Sequence, residues 1–143
     1  MRDILGVYII DDDASVFFEQ EIYSQGSDNI DEAILSRIII TLQRFADELG
    51  GGDVHKIEIG KNRVFMLGDD ISDFKFILRC KQNVKEKRAQ NILGEVKNIF
   101  IDIFMGKYHK SEETLMKLKS KFSDEISKYF EDPTDVSGFL DKI

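Results

Sequence analysis

The order of strand-like and helix-like segments constrains the fold of this chain more than any other feature. Apolar runs and period-two alternation predict strands, and apolar residues spaced by three and four predict helices. The resulting order is β-β-α-β-β-β-α-α, which predicts one small α/β unit with helices packed on a sheet. The expected strands cover residues 4–10, 15–23, 55–59, 63–67 and 74–81, and the expected helices begin near 29, 85 and 112.

The first two strands differ in the way they should be covered. Residues 4–10 (ILGVYII) are almost continuously apolar, which is typical of a central strand buried on both faces. Residues 15–23 begin apolar and then alternate with Glu19 and Glu21, which favours a strand near an edge of the sheet. The two strands should form a hairpin.

The first helix should begin at Asn29, with Glu32 completing a capping box, and end at Gly50. It contains the run Ile38–Ile40, and successive helical residues point about 100° apart, so the three cannot all face one core. Either the apolar arc is wide or part of it is a contact surface for another subunit. On the second interpretation, the surface is expected to comprise Leu35, Ile39 and Ile40, extended by Phe17 and Tyr23 from the second strand.

Composition and charge argue for a globular chain that does not bind nucleic acid. The 143 residues are 42% hydrophobic and 33% charged, and the net charge is −7, whereas phosphate contacts need a basic surface. The charge is uneven, because residues 1–73 have a net charge of −10 and residues 74–143 a net charge of +3. We therefore expect one acidic and one mildly basic end.

The candidate catalytic and binding motifs are better explained structurally. The aspartates 11–13 suit a solvated turn better than a cation site, and Gly50–Gly52 follows a helix, whereas phosphate loops precede one. Neither His55 nor His109 accompanies a nucleophile motif, and Cys80 lies at an apolar position of the fifth strand, as a buried thiol would. We therefore expect no enzymatic activity, no cofactor and no metal.

One concentration of basic residues has two interpretations. It is either a solvated strand face that runs into a solvated helix turn, or a patch that meets an anionic membrane surface or an acidic partner. Its members are Lys75, Arg79, Lys81, Lys85, Lys87 and Arg88.

Several absences set the expected location. A single cysteine excludes an internal disulfide and fits a reducing compartment, and neither a signal peptide nor an apolar run of roughly 20 residues is present. The expected location is cytoplasmic, with peripheral membrane association left open. The expected organisation is one domain over residues 1–130 and a short tail over residues 131–143.

The element order, together with ILGVYIIDDDASVFFEQEIY at residues 4–23, resembles the longin domain. That resemblance implies a profilin-like fold, in which a five-stranded antiparallel-type sheet has one helix on one face and two on the other. The related roadblock fold would place a helix before the first strand, and profilin itself is a weaker match. The resemblance covers residues 4 to about 130, and it rests on topology and apolar pattern because longin domains have no catalytic signature.

The resemblance implies an interaction module rather than an enzyme. Longin domains occur in vesicle-trafficking and small-GTPase-regulating assemblies, where they pair with another longin or roadblock subunit or bind peptides through the first helix and a strand edge. The chain lacks the SNARE heptads that some longin proteins carry. The expected function is therefore that of an adaptor subunit, with a second copy, another longin or roadblock chain, or a small GTPase as partner. The alternative is a small-ligand sensor with a pocket between sheet and helices.

Overall fold

The fold is seen in a computed structural model that describes residues 3–11, 13, 15–22, 37–41, 43–44, 48, 50, 55–69, 72–104, 106–107 and 110–131. The predicted cap at Asn29, the proposed contact residues Tyr23 and Leu35, and the tail beyond residue 131 lie outside these ranges, as does His109.

The sheet has five antiparallel strands in the order β2-β1-β5-β4-β3. The strands are β1 (Ile4–Ile10), β2 (Val16–Glu21), β3 (Lys56–Ile59), β4 (Asn62–Gly68) and β5 (Lys75–Lys81). All seven residues of β1 are buried and β2 lies at an edge, which confirms both sequence predictions.

The helices also follow the predicted order. Residues 37–41, 43–44 and 48 are helical and belong to the first helix, α1, and Gly50 follows with a φ of 70°, the left-handed conformation expected at a helix end. The other helices are α2 (Glu86–Phe104) and α3 (Glu112–Phe130). Among the described residues, five antiparallel strands and three helices follow one another in the order of the fold class that the longin resemblance implies.

The chain divides into two compact units, residues 2–94 and 95–143, and the boundary falls within α2. In the first unit, α1 packs on one face of the sheet through a cluster of buried apolar side chains. The cluster comprises Tyr8, Ile10, Ile39, Ile40, Val64, Met66 and Ile77, with Val16 and Ile57 packed against it. We call this side of the sheet the α1 face.

The second unit contains the end of α2 and all of α3. Its core includes three aromatic rings, in which Phe100 lies 4.6 Å from Phe104 and 5.7 Å from Phe122 between ring centroids. Ser111 caps α3 by accepting a hydrogen bond from the backbone N–H of Thr114 at 3.3 Å. The prediction of a single domain over residues 1–130 with a separate tail stays a prediction.

Candidate interaction surfaces and a polar row across the sheet

The isoleucine run of α1 faces the opposite way from the sequence prediction. Ile39 and Ile40 are 1% and 9% exposed and belong to the core on the α1 face, whereas Ile38 is 37% exposed. The prediction that Ile39 and Ile40 lie on the outward edge is therefore wrong. The outward side of α1 instead has Arg37, Ile38 and Thr41, all of which are exposed.

Phe17 lies at an irregularity in the edge strand β2. The β1–β2 register shifts between Ile9, which pairs with Phe18, and Ile10, which pairs with Val16, so that Phe17 is the extra residue. Its half-buried ring contacts Phe74, with 5.1 Å between centroids. Phe17 is therefore partly accessible, and its predicted role in partner binding stays a prediction.

A row of polar side chains crosses the sheet near the end where β5 leads into α2. Arg79 of β5 is 1% exposed, and its Nε donates to the Tyr8 hydroxyl at 3.0 Å. Its Nη1 donates to Oδ1 of Asn62 at 2.8 Å, and its Nη2 donates to Oε2 of Glu21 at 2.9 Å. The Tyr8 hydroxyl donates to Oε1 of Glu21 at 3.0 Å. The row therefore links side chains of β2, β1, β5 and β4.

Gly6 makes this row possible. It pairs directly with Glu21 across the β1–β2 ladder, and the Tyr8 ring leans along β1 over it. A Cβ at position 6 would lie 2.4 Å from the Tyr8 hydroxyl oxygen, inside any normal contact distance. Only glycine leaves room for the tyrosine to reach Glu21 and Arg79 together.

The electrostatics of the row favour a charged arginine and a neutral tyrosine. Burial raises the pKa of Tyr8 above its ordinary value, although the Arg79 guanidinium acts in the opposite sense. Burial alone would lower the pKa of Arg79, but the bond to Tyr8 and the charge of Glu21 outweigh it, and the pKa is raised. The network thus contains the Arg79–Glu21 ion pair together with the neutral side chains of Tyr8 and Asn62.

The six residues of the predicted basic patch do not form one surface. Arg79 is buried in the polar row, so the prediction that it belongs to a surface patch is wrong. Lys75 and Lys81 lie at opposite ends of β5, and Arg88 forms a bidentate ion pair with Asp3. Burial alone would raise the pKa of Asp3, but Arg88 outweighs this effect and lowers it.

The other candidate motifs have structural roles. Oδ1 of Asp11 accepts hydrogen bonds from the backbone N–H groups of Asp13 and Ser15, both at 2.9 Å, so this aspartate closes its own turn as predicted. Cys80 is fully buried, and burial raises the pKa of its thiol to about 12. Within the described ranges, no group of three His, Cys, Asp or Glu residues could hold a metal ion. None of the described helices is long and apolar enough to cross a bilayer.

Comparisons with known proteins do not identify a family for the chain. No protein-family model matches the chain, and no curated protein matches it in sequence. Among solved structures the chain is similar to Myxococcus xanthus MglB, at 15% identity and a TM-score of 0.41, over 91% of this chain and 85% of that one. The class of protein is therefore given by its own architecture, a five-stranded antiparallel sheet with helices in the order that the longin resemblance implies.

Two features of these surfaces escaped the sequence analysis. The first is the polar row, for which the signals were a glycine two residues before a tyrosine in an apolar strand and an arginine in another apolar strand. The second is Lys61, which lies in the β3–β4 turn, 14 positions before Lys75, the first residue of the predicted basic patch.

Proposed function

We propose that the chain is a non-enzymatic interaction module of the longin type, an adaptor subunit of a vesicle-trafficking or small-GTPase-regulating assembly. Its partners would be another longin or roadblock chain, a second copy of itself, or a small GTPase. The observation that carries the proposal is the exposure of Ile38 on α1, beside a sheet that ends in an edge strand whose Ile57 packs against the α1 cluster.

The edge strand β3 supports this proposal through its backbone. The Met66 N–H donates to the His55 carbonyl at 3.0 Å, so alternate residues from His55 turn their backbone groups toward β4. By the same alternation, Lys56 and Glu58 turn their N–H and C=O groups away from the sheet. An added strand from a partner could pair with these groups, as in β-augmentation.

The outward side of α1 supplies the second part of the surface. Ile38 is next to the exposed Arg37, and the exposed Thr41 lies one turn further along the helix. An apolar anchor beside polar and basic side chains resembles part of the usual core and rim of a protein interface. The proposed contact therefore centres on Ile38, and Ile39 and Ile40 hold α1 against the sheet as part of the buried cluster.

The test is affinity capture from native extract with the full chain as bait, compared with two variants. Ile38→Asp removes the exposed anchor, and Lys56→Pro removes an outward N–H without removing a ladder bond to β4. We expect the wild-type chain to recover a longin or roadblock chain or a small GTPase, and either variant to lose it while keeping its circular dichroism spectrum. Wild-type bait that is folded and recovers none of these would overturn the adaptor proposal.

A further inference from the structure

The two ends of the sheet carry opposite charges. The turns β1–β2 and β4–β5 lie side by side, because Ile10 and Gly68 both pair with Lys75, and they contain Asp11, Asp13, Asp69 and Asp73. The other end contains lysines, which we call the lysine end: Lys61, Lys81, Lys85 and Lys87. The two ends are separated along β5 by roughly 20 Å, the length of a seven-residue strand.

The lysine end is formed by two segments that touch. Lys61 lies in the turn between β3 and β4, and Lys81 ends β5 directly opposite Asn62. Nε2 of Gln82 donates to the carbonyl of Gly60 at 3.3 Å, which joins the β5–α2 loop to that turn. Lys85 and Lys87 follow at the start of α2.

The loop that presents these lysines is tied down. Val84 at its centre is 1% exposed, and its N–H donates to the Lys81 carbonyl at 3.3 Å. Nη1 of Arg63 donates to the Val84 carbonyl at 3.2 Å, and the Lys81 N–H donates to the Asp3 carbonyl at 2.9 Å. The lysines therefore extend from a fixed frame, so their charges stay together.

The nearby acidic groups are largely occupied by arginines. Glu58 pairs with Arg63 at 3.0 Å, and Asp3 pairs with Arg88. Both arginines thus neutralise carboxylates at this end, whereas Lys61, Lys85 and Lys87 are exposed. Glu86 is the one exposed carboxylate in the sequence between Lys81 and Arg88, so the lysine end has a net positive charge.

We propose that the lysine end adsorbs to an anionic lipid surface. Its charges come from a turn, a strand end and a helix start, so they do not follow one line that would match an extended acidic peptide. A lipid surface offers diffuse, mobile phosphates and requires no such register. The chain's overall charge of −7 does not prevent this, because roughly 20 Å to the acidic turns is about two screening lengths at 0.1 M salt.

The test is co-sedimentation of the full chain with phosphatidylcholine vesicles that contain or lack phosphatidylserine. The variant is Lys61→Gln/Lys85→Gln/Lys87→Gln. The matched control removes the same charge from exposed lysines of α3, as Lys117→Gln/Lys121→Gln/Lys128→Gln. At about 1 kcal/mol per lysine near an anionic surface, we expect the lysine-end variant to lose roughly 100-fold in partition coefficient.

Three outcomes decide the proposal. Binding that requires phosphatidylserine, weakens with salt, and falls in the lysine-end variant but not in the control supports it. Equal losses in both variants would reduce the effect to net charge and overturn it, as would no binding by the wild-type chain. Binding to polyglutamate but not to vesicles would reassign the surface to acidic polypeptides. None of these outcomes depends on Ile38, so the adaptor proposal is tested separately.

Discussion

Arg79 illustrates how one buried charge can tie an edge strand to a sheet. Its guanidinium is almost fully buried, and its ionic partner Glu21 lies at the last position of the edge strand β2. Removing one member of a buried pair leaves the other charge uncompensated, which typically destabilises far more than loss of an exposed pair. The pair therefore has a larger effect on stability than its distance alone would indicate.

We expect Glu21→Gln to lower the free energy of unfolding by about 3 kcal/mol, because it removes the carboxylate that pairs with the buried Arg79 guanidinium. The matched control is Glu58→Gln on the other edge strand, whose partner Arg63 is 31% exposed, and there the loss should stay below about 1 kcal/mol. Urea denaturation measures both. Equal losses, or a Glu21→Gln/Arg79→Met double variant no more stable than Glu21→Gln alone, would contradict an uncompensated charge as the cause.

Gly6 gives a second residue-scale prediction. Gly6→Ala should destabilise the chain by about 1–3 kcal/mol, as overpacking does, because the new methyl would displace the Tyr8 ring from its hydrogen bonds. Gly68→Ala is the control, since a Cβ at that position in β4 meets no atom within 4 Å. Thermal unfolding compares the two, and a Gly6→Ala variant as stable as Gly68→Ala would show that the tyrosine relaxes without cost.

At the scale of elements, the sequence could not determine which face of α1 packs against the sheet. Two sets of positions, one containing Ile34 and Ile38 and the other Leu35 and Ile39, both fit spacings of three and four. The choice depends on which isoleucines meet Tyr8, Val64 and the other residues of the sheet, which is a tertiary interaction. The pattern therefore predicted the helix but not which of Ile38 and Ile39 faces the core.

Because Ile38 is exposed and Ile39 is buried, the substitution that tests the surface of α1 is at Ile38. Ile39→Asp should lower the free energy of unfolding by more than about 4 kcal/mol, since it buries an unpaired carboxylate where a 1%-exposed isoleucine packed. Ile38→Asp should change it by less than about 0.5 kcal/mol, as surface substitutions usually do. Chemical denaturation distinguishes the pair. An Ile38→Asp variant as unstable as Ile39→Asp would mean that both side chains pack in the core.

Strand β5 shows a different limit of sequence reasoning. Its alternation correctly separated Phe76, Leu78 and Cys80 from Lys75 and Arg79, because side-chain direction follows from a period of two. Alternation does not say whether a face is covered, and here the α1 face is covered at Ile77 and Arg79. Charged residues are rarely buried without a partner, so the single sequence gave no reason to bury Arg79 until Tyr8 and Glu21 were known to be neighbours.

For the molecule as a whole, the order and bounds of the strands and of α2 and α3 were predictable because each segment has a strong local pattern. The predicted start of the third helix, near residue 112, coincides with the observed start of α3, Glu112–Phe130. The interaction surfaces were less predictable, because they depend on which turns and loops meet at one end of the sheet. Lys61 and Lys85 are 24 positions apart in sequence, and only strand register brings their segments together.

Stability at alkaline pH should depend on Cys80. Burial raises its pKa to about 12 in the folded chain, so the folded state keeps the thiol protonated where the unfolded state, with an ordinary value near 9.0, releases the proton. The stabilisation is therefore complete below about pH 9 and is lost as the pH rises toward 12, by about 1 kcal/mol between pH 9 and pH 10. Urea denaturation across this range should show a shallower decline for Cys80→Ala. An identical slope in both proteins would mean that the thiol does not titrate differently on folding.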